Sequence, residues 1–342
     1  MSALRRLALV FFGLLHLVAL AAELLAPQDW DEQRRELSFA PPMAVHFVGA
    51  DGELRRPFVY AWRPAADDPY RFEAAREEPL PLRFWVPAPP RAWGPFSLEH
   101  RLLGVDGGSS GSASWHPLGT DRFGRDVASR LLYGLRFSLA IGLLAGLLGV
   151  GLGTLLGSLA GFCGGLLDQL VTFLADLFLA LPWVYLLLGI RAFLPLRLPP
   201  DAVFGALVVL VGLLAWARPA RLTRSLAAGL ATSDFADAAR GLGGSELYVY
   251  RRHVLPHTLG PAAVQLSLLV PQCLLAEVTL SFLGLGAAEP RPSLGTALAA
   301  LQDLETWSSH GWLLWPAATL AALVLSYHLL ADALQEHWSI PA

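Results

Sequence analysis

The chain has 342 residues, 54% of them hydrophobic and only 15% charged, against roughly 25% charged in an average soluble domain. A mean hydropathy of +0.49 excludes an ordinary soluble globular protein and indicates a chain that crosses a membrane repeatedly. The formal net charge of −3 excludes nucleic acid as a partner, because a phosphate-binding surface needs a clustered basic excess.

About 20 apolar residues are needed to cross the hydrocarbon core. Six segments qualify: Leu7 to Ala26, Leu139 to Phe162, Leu170 to Leu194, Ala202 to Ala220, Pro261 to Leu285, and Trp312 to Leu334. The first follows Arg5 and Arg6 and carries Ala19 and Ala21 near its end, as a cleaved signal peptide would. Its apolar run continues to Ala26, so residues 1–26 read as an uncleaved anchor.

Residues 27–130 change to a soluble composition. MAVHFV, the turn Gly49-Ala50-Asp51-Gly52 and ELRRPFVYAW read as a β-hairpin, and GVDGGSSGSAS (Gly104 to Ser114) has the composition of a flexible linker. Phe84, Trp85, Trp93 and Phe96, set among prolines, pack a small domain, rest at the membrane interface or stack on a ligand. This stretch is expected to be an external domain with β content, inserted between the first and second spans.

The remaining five spans fall in residues 131–338. The expected fold class is therefore an all-α polytopic membrane protein with six transmembrane helices and one small β-containing insertion. An even span number puts both termini on one side. Arg5 and Arg6 then share a face with Arg218, Arg221, Arg224, Arg240, Arg251 and Arg252, and the positive-inside rule makes that face cytoplasmic. The 13 arginines of the long loop escape the rule, which applies to short loops.

Gly149, Gly153, Gly157 and Gly161 recur at a four-residue spacing, preceded by Gly142 and Gly146. In a bilayer such a stripe lets another helix approach closely, either for packing or as a sliding surface. Asp176, Glu277 and Asp332 fall inside predicted spans, where a carboxylate is expensive. Asp176 and Glu277, with Gln272, are candidates for a polar path through the membrane; the alternative is that each acid hydrogen-bonds a neighbouring helix. Pro182 and Pro271 are expected to kink their spans.

Three motifs lead nowhere. Gly107-Gly108-Ser109-Ser110-Gly111 spells GxSxG without the strand and helix of a nucleophile elbow. His253 and His257 are four apart like a metal pair, but Pro256 stands between them. Cys163 and Cys273 lie in separate apolar stretches and form neither a metal spacing nor a disulfide framework. No catalytic group and no bound metal is expected.

The polar island Asp237 to Pro256, DAARGLGGSELYVYRRHVLP, reads as two short helices hinged at Gly243-Gly244. Asp234 is a fair N-cap, Ser245-Glu246 begins the second helix, and Phe235, Ala238, Ala239 and Leu242 are expected on one face resting on the membrane surface. The island resembles the EAA loop of ATP-binding-cassette importer permeases. Asp237-Ala238-Ala239, Gly243 and His253-Val254-Leu255-Pro256 fill every interval of that pattern, with Asp in place of Glu and His at the usual isoleucine position.

HPLGTDRFGRDVASRLLYG (His116 to Gly134), LALP (Leu179 to Pro182) and AEVTLSFLGLG (Ala276 to Gly286) are in turn similar to C-type permeases of the dipeptide, oligopeptide and nickel family. Residues 27 to 115 match less clearly and in length resemble the permeases of microcin-type peptide uptake. The resemblance implies the type I importer fold and a bacterial inner-membrane location. It also implies coupling through Asp237, Ala238, Ala239, Gly243, His253, Leu255 and Pro256 to two separate ATPase subunits, which use the ATP and magnesium. Further implied partners are a homologous B-type permease, an external solute-binding protein and membrane lipid.

The chain has no lysine and so no GxxxxGK[ST] loop of its own. Two other classes fit less of the sequence: a membrane enzyme using Asp176 and Glu277 as an acid pair, and a non-transporting scaffold or sensor whose external domain does the work.

Overall fold

The computed structural model describes residues 3–49, 52–65, 67–68, 71–93, 96–105, 114–193 and 199–338. The described parts divide into two compact units, one from Met1–Phe12, Leu139–Gly286 and Ala322–Ala342, the other from Gly13–Ser138 and Ala287–Ala321. Helices α1 (Ala3–Leu20) and α2 (Ala22–Leu25) precede strands β1 (His46–Val48), β2 (Leu54–Pro64), β3 (Phe72–Trp93) and β4 (Phe96–Val105). The helical region follows: α3 (Val127–Cys163), α4 (Gly165–Ala180), α5 (Trp183–Phe193), α6 (Pro200–Ala215), α7 (Ala217–Ala231), α8 (Asp234–Gly241), α9 (Glu246–Val249), α10 (Leu255–Phe282), α11 (Leu294–Ala299), α12 (Leu304–Ser309) and α13 (Trp315–Trp338).

Among the described residues, Val127–Cys163, Glu246–Phe282 and Gly311–Gln335 are long and apolar enough to cross a membrane, and two bent helix pairs raise the number to five. The apolar part of α1, Leu9–Leu20, is shorter than these. The third predicted span is the first bent pair: α4 and α5 meet at 94° where Leu181 and Pro182 interrupt the helix, since proline lacks the N–H and its ring strikes the preceding turn. The fourth is the second pair, bent by 43° at Trp216 and continuing to Ala231, well past the expected end at Ala220. Pro271, with Pro261, lies inside one continuous helix, α10.

The glycine stripe explains how α3 and α7 meet. A Cβ on Gly153 would stand 2.5 Å from the Trp216 carbonyl oxygen, and Cβ atoms on Gly157 and Gly161 would overlap the carbonyls of Ala220 and Arg224. The four-residue ladder on α3 thus receives the backbone of α7 at successive turns. Gly142 and Gly146 do the same for α10, facing Leu274 and Val270. With no water to expel between helices in lipid, close van der Waals approach supplies the attraction, and small residues make it possible.

On α7 the buried positions Ala217, Pro219, Ala220, Thr223, Ala227 and Ala231 form one stripe. The Thr223 hydroxyl donates to the Pro219 carbonyl at 2.8 Å and contacts the Gly153 carbonyl at 3.2 Å. Polar pairs then lock α7 to α4: Arg224 Nη2 donates to Asp168 at 2.6 Å, and Arg221 lies 3.3 Å from Asp176.

In the other unit the strands form an antiparallel meander in the order β1-β2-β3-β4. β1 and β2 pair across the Gly49–Gly52 turn; Ala50 and Asp51 lie outside the described residues. β3 is 22 residues long, pairing with β2 through Phe72 to Pro81 and with β4 through Leu82 to Trp93. Val59, Leu82 and Val105 make the sheet's small core, with Trp115 against it. Gly104 and Val105, expected to open a linker, instead end β4; residues 106–113 lie outside the described residues, as do the side chains of Trp93 and Phe96. Phe84 and Trp85 are exposed.

Arginines tie the sheet to α2. Arg91 Nη1 donates to the carbonyls of Glu23 and Ala26 at 3.2 and 3.4 Å, satisfying groups that the end of a helix leaves without an internal partner, and Nη2 meets Asp29 at 2.6 Å.

Gly157→Val should lower the thermal midpoint of the purified protein in detergent by the equivalent of about 1–3 kcal/mol, because the side chain would be forced into the α7 backbone. Gly151→Ala, on the same helix with nothing within 4 Å, should be neutral or slightly stabilising; equal losses in both would contradict the packing described here.

Candidate functional site

The helix pair at 234–256 is built by local rules. α8 ends in a Schellman turn: Gly244 N–H donates to the Ala239 carbonyl and Gly243 N–H to the Arg240 carbonyl, both at 2.9 Å. Gly243 sits at φ +85°, a conformation that costs a side-chain-bearing residue about 1–2 kcal/mol. Ser245 then caps α9, accepting from Tyr248 N–H at 3.3 Å.

A π-helical turn, Tyr250–Val254, carries the chain into α10. The widened turn accommodates Pro256 at the start of that helix, where a tight turn would press its ring on the carbonyl four residues back. The chain therefore stays helical through Pro256, and His253 and His257 both pack against Phe235, with ring centroids 6.2 and 5.6 Å away.

One feature differs from the sequence expectation: Ser233, not Asp234, holds the N-cap position, and its hydroxyl donates to the Leu230 carbonyl at 2.6 Å. Leu242 is 90% exposed and Phe235 40%, with Leu247 and Tyr248 exposed beside them, while Ala236 is the residue buried in α8. The helix pair thus presents apolar side chains outward, next to the exposed carboxylates of Asp237 and Glu246.

The pair is braced to the spans. Arg240, one of the arginines of the expected cytoplasmic face, donates to Asp237 at 3.0 Å, to Glu246 at 2.9 Å and to the Ala231 carbonyl at 2.8 Å, so one guanidinium joins α8, α9 and the end of α7. Beneath it, Ala227, Tyr250 and Val254 are buried against Leu159, Phe162, Leu230 and Leu255. The Tyr250 hydroxyl lies 2.8 Å from Ser158 Oγ, next in sequence to Gly157 of the stripe. Displacement of the helix pair therefore has a packed route into α3 and α7.

The three candidates for a polar path have separate surroundings. Asp176 is half exposed and faces Arg221. Glu277 is fully buried and accepts a hydrogen bond from Ser281 Oγ at 2.6 Å. Gln272 is exposed and lines a cavity of about 540 Å³ at the α4–α5 break, with Pro182, Trp183 and Arg218. Neither Asp176 nor Glu277 lines that cavity. Asp332, on α13, is exposed.

The stretch HPLGTDRFGRD forms a clasp ahead of α3. Asp126 caps the helix, accepting from Ser129 N–H at 2.7 Å, and buried His116 bridges it to Ser114 at 3.1 and 2.9 Å. Asp121 accepts from the amides of Phe123 and Arg125. Gly124, at φ +71°, leaves no room for a Cβ beside the Arg34 carbonyl.

Arg125 and Arg130 converge on Glu289, with Nη1 of Arg125 at 2.5 Å and Nη2 of Arg130 at 3.1 Å. Burial works against ionisation of Glu289, but hydrogen bonds from Arg125 and the charge of both guanidinia hold its carboxyl below the usual range. Burial likewise opposes charge on Arg125, yet Glu289 and Asp121 outweigh it and keep its pKa above the ordinary value.

Residues 153–339 match the family described as binding-protein-dependent transport system inner membrane component. The chain belongs to this family. A protein of Brucella suis biovar 1 named as a peptide transport system permease is 35% identical over 223 residues, covering 65% of this chain and 72% of the relative. The glutathione transport system permease protein GsiD of Shigella flexneri and of Escherichia coli is 32% identical over 242 residues, 71% of this chain and 77% of the relative. The chain is thus a permease subunit of an ATP-binding-cassette importer, an integral inner-membrane protein of a system with ATPase and binding-protein partners, and a transporter component rather than an enzyme.

The Glu289 clasp of this permease gives a pH signature. A carboxyl whose folded pKa lies below its unfolded value of about 4.3 stabilises fully above that pH and loses its contribution as the pH falls through the folded value. Wild type should therefore exceed Glu289→Gln in thermal stability at pH 7, by roughly 1.5 kcal/mol for charge-assisted bonds, and the gap should narrow steadily as the pH falls below about 4. A gap that does not narrow with acidification would show that the ion pairs are not its source.

Proposed function

We propose that this permease, paired with a homologous B-type permease, forms the membrane path for peptides or related solutes, and that it receives the ATPase stroke through Asp237, Ala238, Ala239, Gly243, His253, Leu255 and Pro256. Two ATPase subunits dock on the cytoplasmic side and an external binding protein delivers the solute. The observation that carries the reading is the helix pair itself, which presents Leu242, Leu247 and Tyr248 outward beside Asp237 and Glu246 while its base is packed on α3 and α7. Exposed apolar residues rimmed by charge mark an interaction surface. The peptide class is supported by the names of the relatives, a peptide permease and a glutathione permease.

In this reading six helices cross the membrane, α1 included, both termini and the helix pair are cytoplasmic, and the sheet of residues 27–130 is external. The arginine distribution supports that orientation. ATP and magnesium belong to the partner ATPase, and the chain itself needs no cofactor. Asp176, Glu277 and Gln272 are candidates for the solute path, of which Gln272 has the most support because it lines a cavity.

In the reconstituted importer, Gly243→Pro and Asp237→Arg should each abolish solute-stimulated ATP hydrolysis while leaving membrane insertion intact. Gly243→Pro acts by forcing φ to about −65° and removing the amide that closes the Schellman turn. Stimulated hydrolysis at the wild-type rate in both variants would count decisively against the assignment.

A further inference from the structure

α7 carries Arg218, Arg221 and Arg224 at three-residue intervals, and the polar pairing along the helix is uneven. Arg221 meets Asp176 and Arg224 meets Asp168, both acids belonging to α4. Arg218 has no carboxylate in ion-pair range among the described residues. It lines the cavity of about 540 Å³ at the α4–α5 break, a volume typical of small-molecule sites. The walls are mostly apolar, from Phe178, Leu181, Val211 and Leu269, and the other lining groups with hydrogen-bonding atoms on their side chains are Gln272, Trp183 and the weakly bonding thiol of Cys273.

Arg218 is exposed at this cavity, so its guanidinium is open to an anionic group that enters beside the apolar walls. The guanidinium fork suits a planar carboxylate, which it can hold through two parallel N–H bonds. One anionic oxygen group on a largely apolar body would satisfy all the lining residues together.

We propose that this cavity is a transit site for the carboxylate of the transported solute, with Arg218 binding the carboxylate, Gln272 supplying a second polar contact and the apolar walls taking the body of the solute. The proposal rests on the permease reading above and adds to it a chemical class, carboxylate-bearing solutes with apolar bodies. The 94° elbow at Leu181-Pro182 forms one wall, so a change of that angle would open or close the site.

The test uses the assembled importer in proteoliposomes and one apolar tripeptide, supplied as the free acid and as its C-terminal amide. Wild type should take up the acid in clear preference. Arg218→Gln should lose acid uptake by about tenfold or more, as expected for loss of a charge-assisted hydrogen bond, and so lose the preference, while Arg218→Lys should recover part of both. Acid preference unchanged in Arg218→Gln overturns the site, as does an equal loss of acid and amide uptake.

Two other sources of the anion are separable. If Arg218→Gln releases phospholipid that co-purifies with wild type and leaves acid preference intact, the cavity holds a lipid headgroup and the proposal fails. If the variant no longer co-purifies with the sister permease, Arg218 is an interface residue and the proposal fails likewise. Wild type that hydrolyses ATP but accumulates neither peptide overturns the peptide reading together with the site, whereas transport by wild type with an indifferent Arg218→Gln overturns the site alone.

Discussion

The close approach of the α7 backbone to the glycines of α3 is the contact on which the helical unit depends. Gly153, Gly157 and Gly161 receive the carbonyls of Trp216, Ala220 and Arg224, so neither helix can shift without the other unless the whole ladder is broken. Packed surfaces of this kind respond as rigid bodies with discrete arrangements rather than by continuous deformation. The ion pairs from α4 to Arg221 and Arg224 extend the same body outward by one helix.

The helix pair at 234–256 stands on the end of this body. Tyr250 reaches Ser158, Val254 packs beside Ala227, and Arg240 holds the two short helices to the Ala231 carbonyl. The exposed tip and the buried base have different jobs in the proposed mechanism. Leu242, Leu247 and Tyr248 await a partner, while Tyr250, Val254 and Arg240 pass its movement to α3 and α7. The Gly243 turn sets the angle between the two helices, and hence the shape of the surface proposed to meet the ATPase.

Local chemistry was legible in the sequence; long-range pairing was not. The Gly243-Gly244 hinge and the Ser245 cap could be read because each depends on neighbours within a few residues. The glycine spacing indicated a groove but not its occupant, since nothing local says that α7 rather than another helix fills it. β3 was hidden by its own composition: Pro79, Pro81, Pro87, Pro89 and Pro90 argue against a strand, yet Pro79 and Pro81 stand in register with β2 and Pro87 with β4. The clasp around HPLGTDRFGRD was visible only as a resemblance because its partner, Glu289, lies 164 residues from Arg125. The sequence marks the apolar side chains of α8 but not what covers them, as an apolar side chain in a surface helix looks the same whether membrane or partner protein lies against it.

The account's central claim is that the helix pair and the α3–α7 ladder move as one body when the ATPase acts. Spin labels at Leu242 and Leu155, both exposed, allow the distance between them to be measured in the assembled importer with and without ATP. The account predicts a change of no more than about 2 Å, the scale of ordinary shifts at packed helix interfaces, under conditions where solute-stimulated hydrolysis proceeds. A larger change between the nucleotide states would show the helix pair moving independently of the ladder and would contradict it.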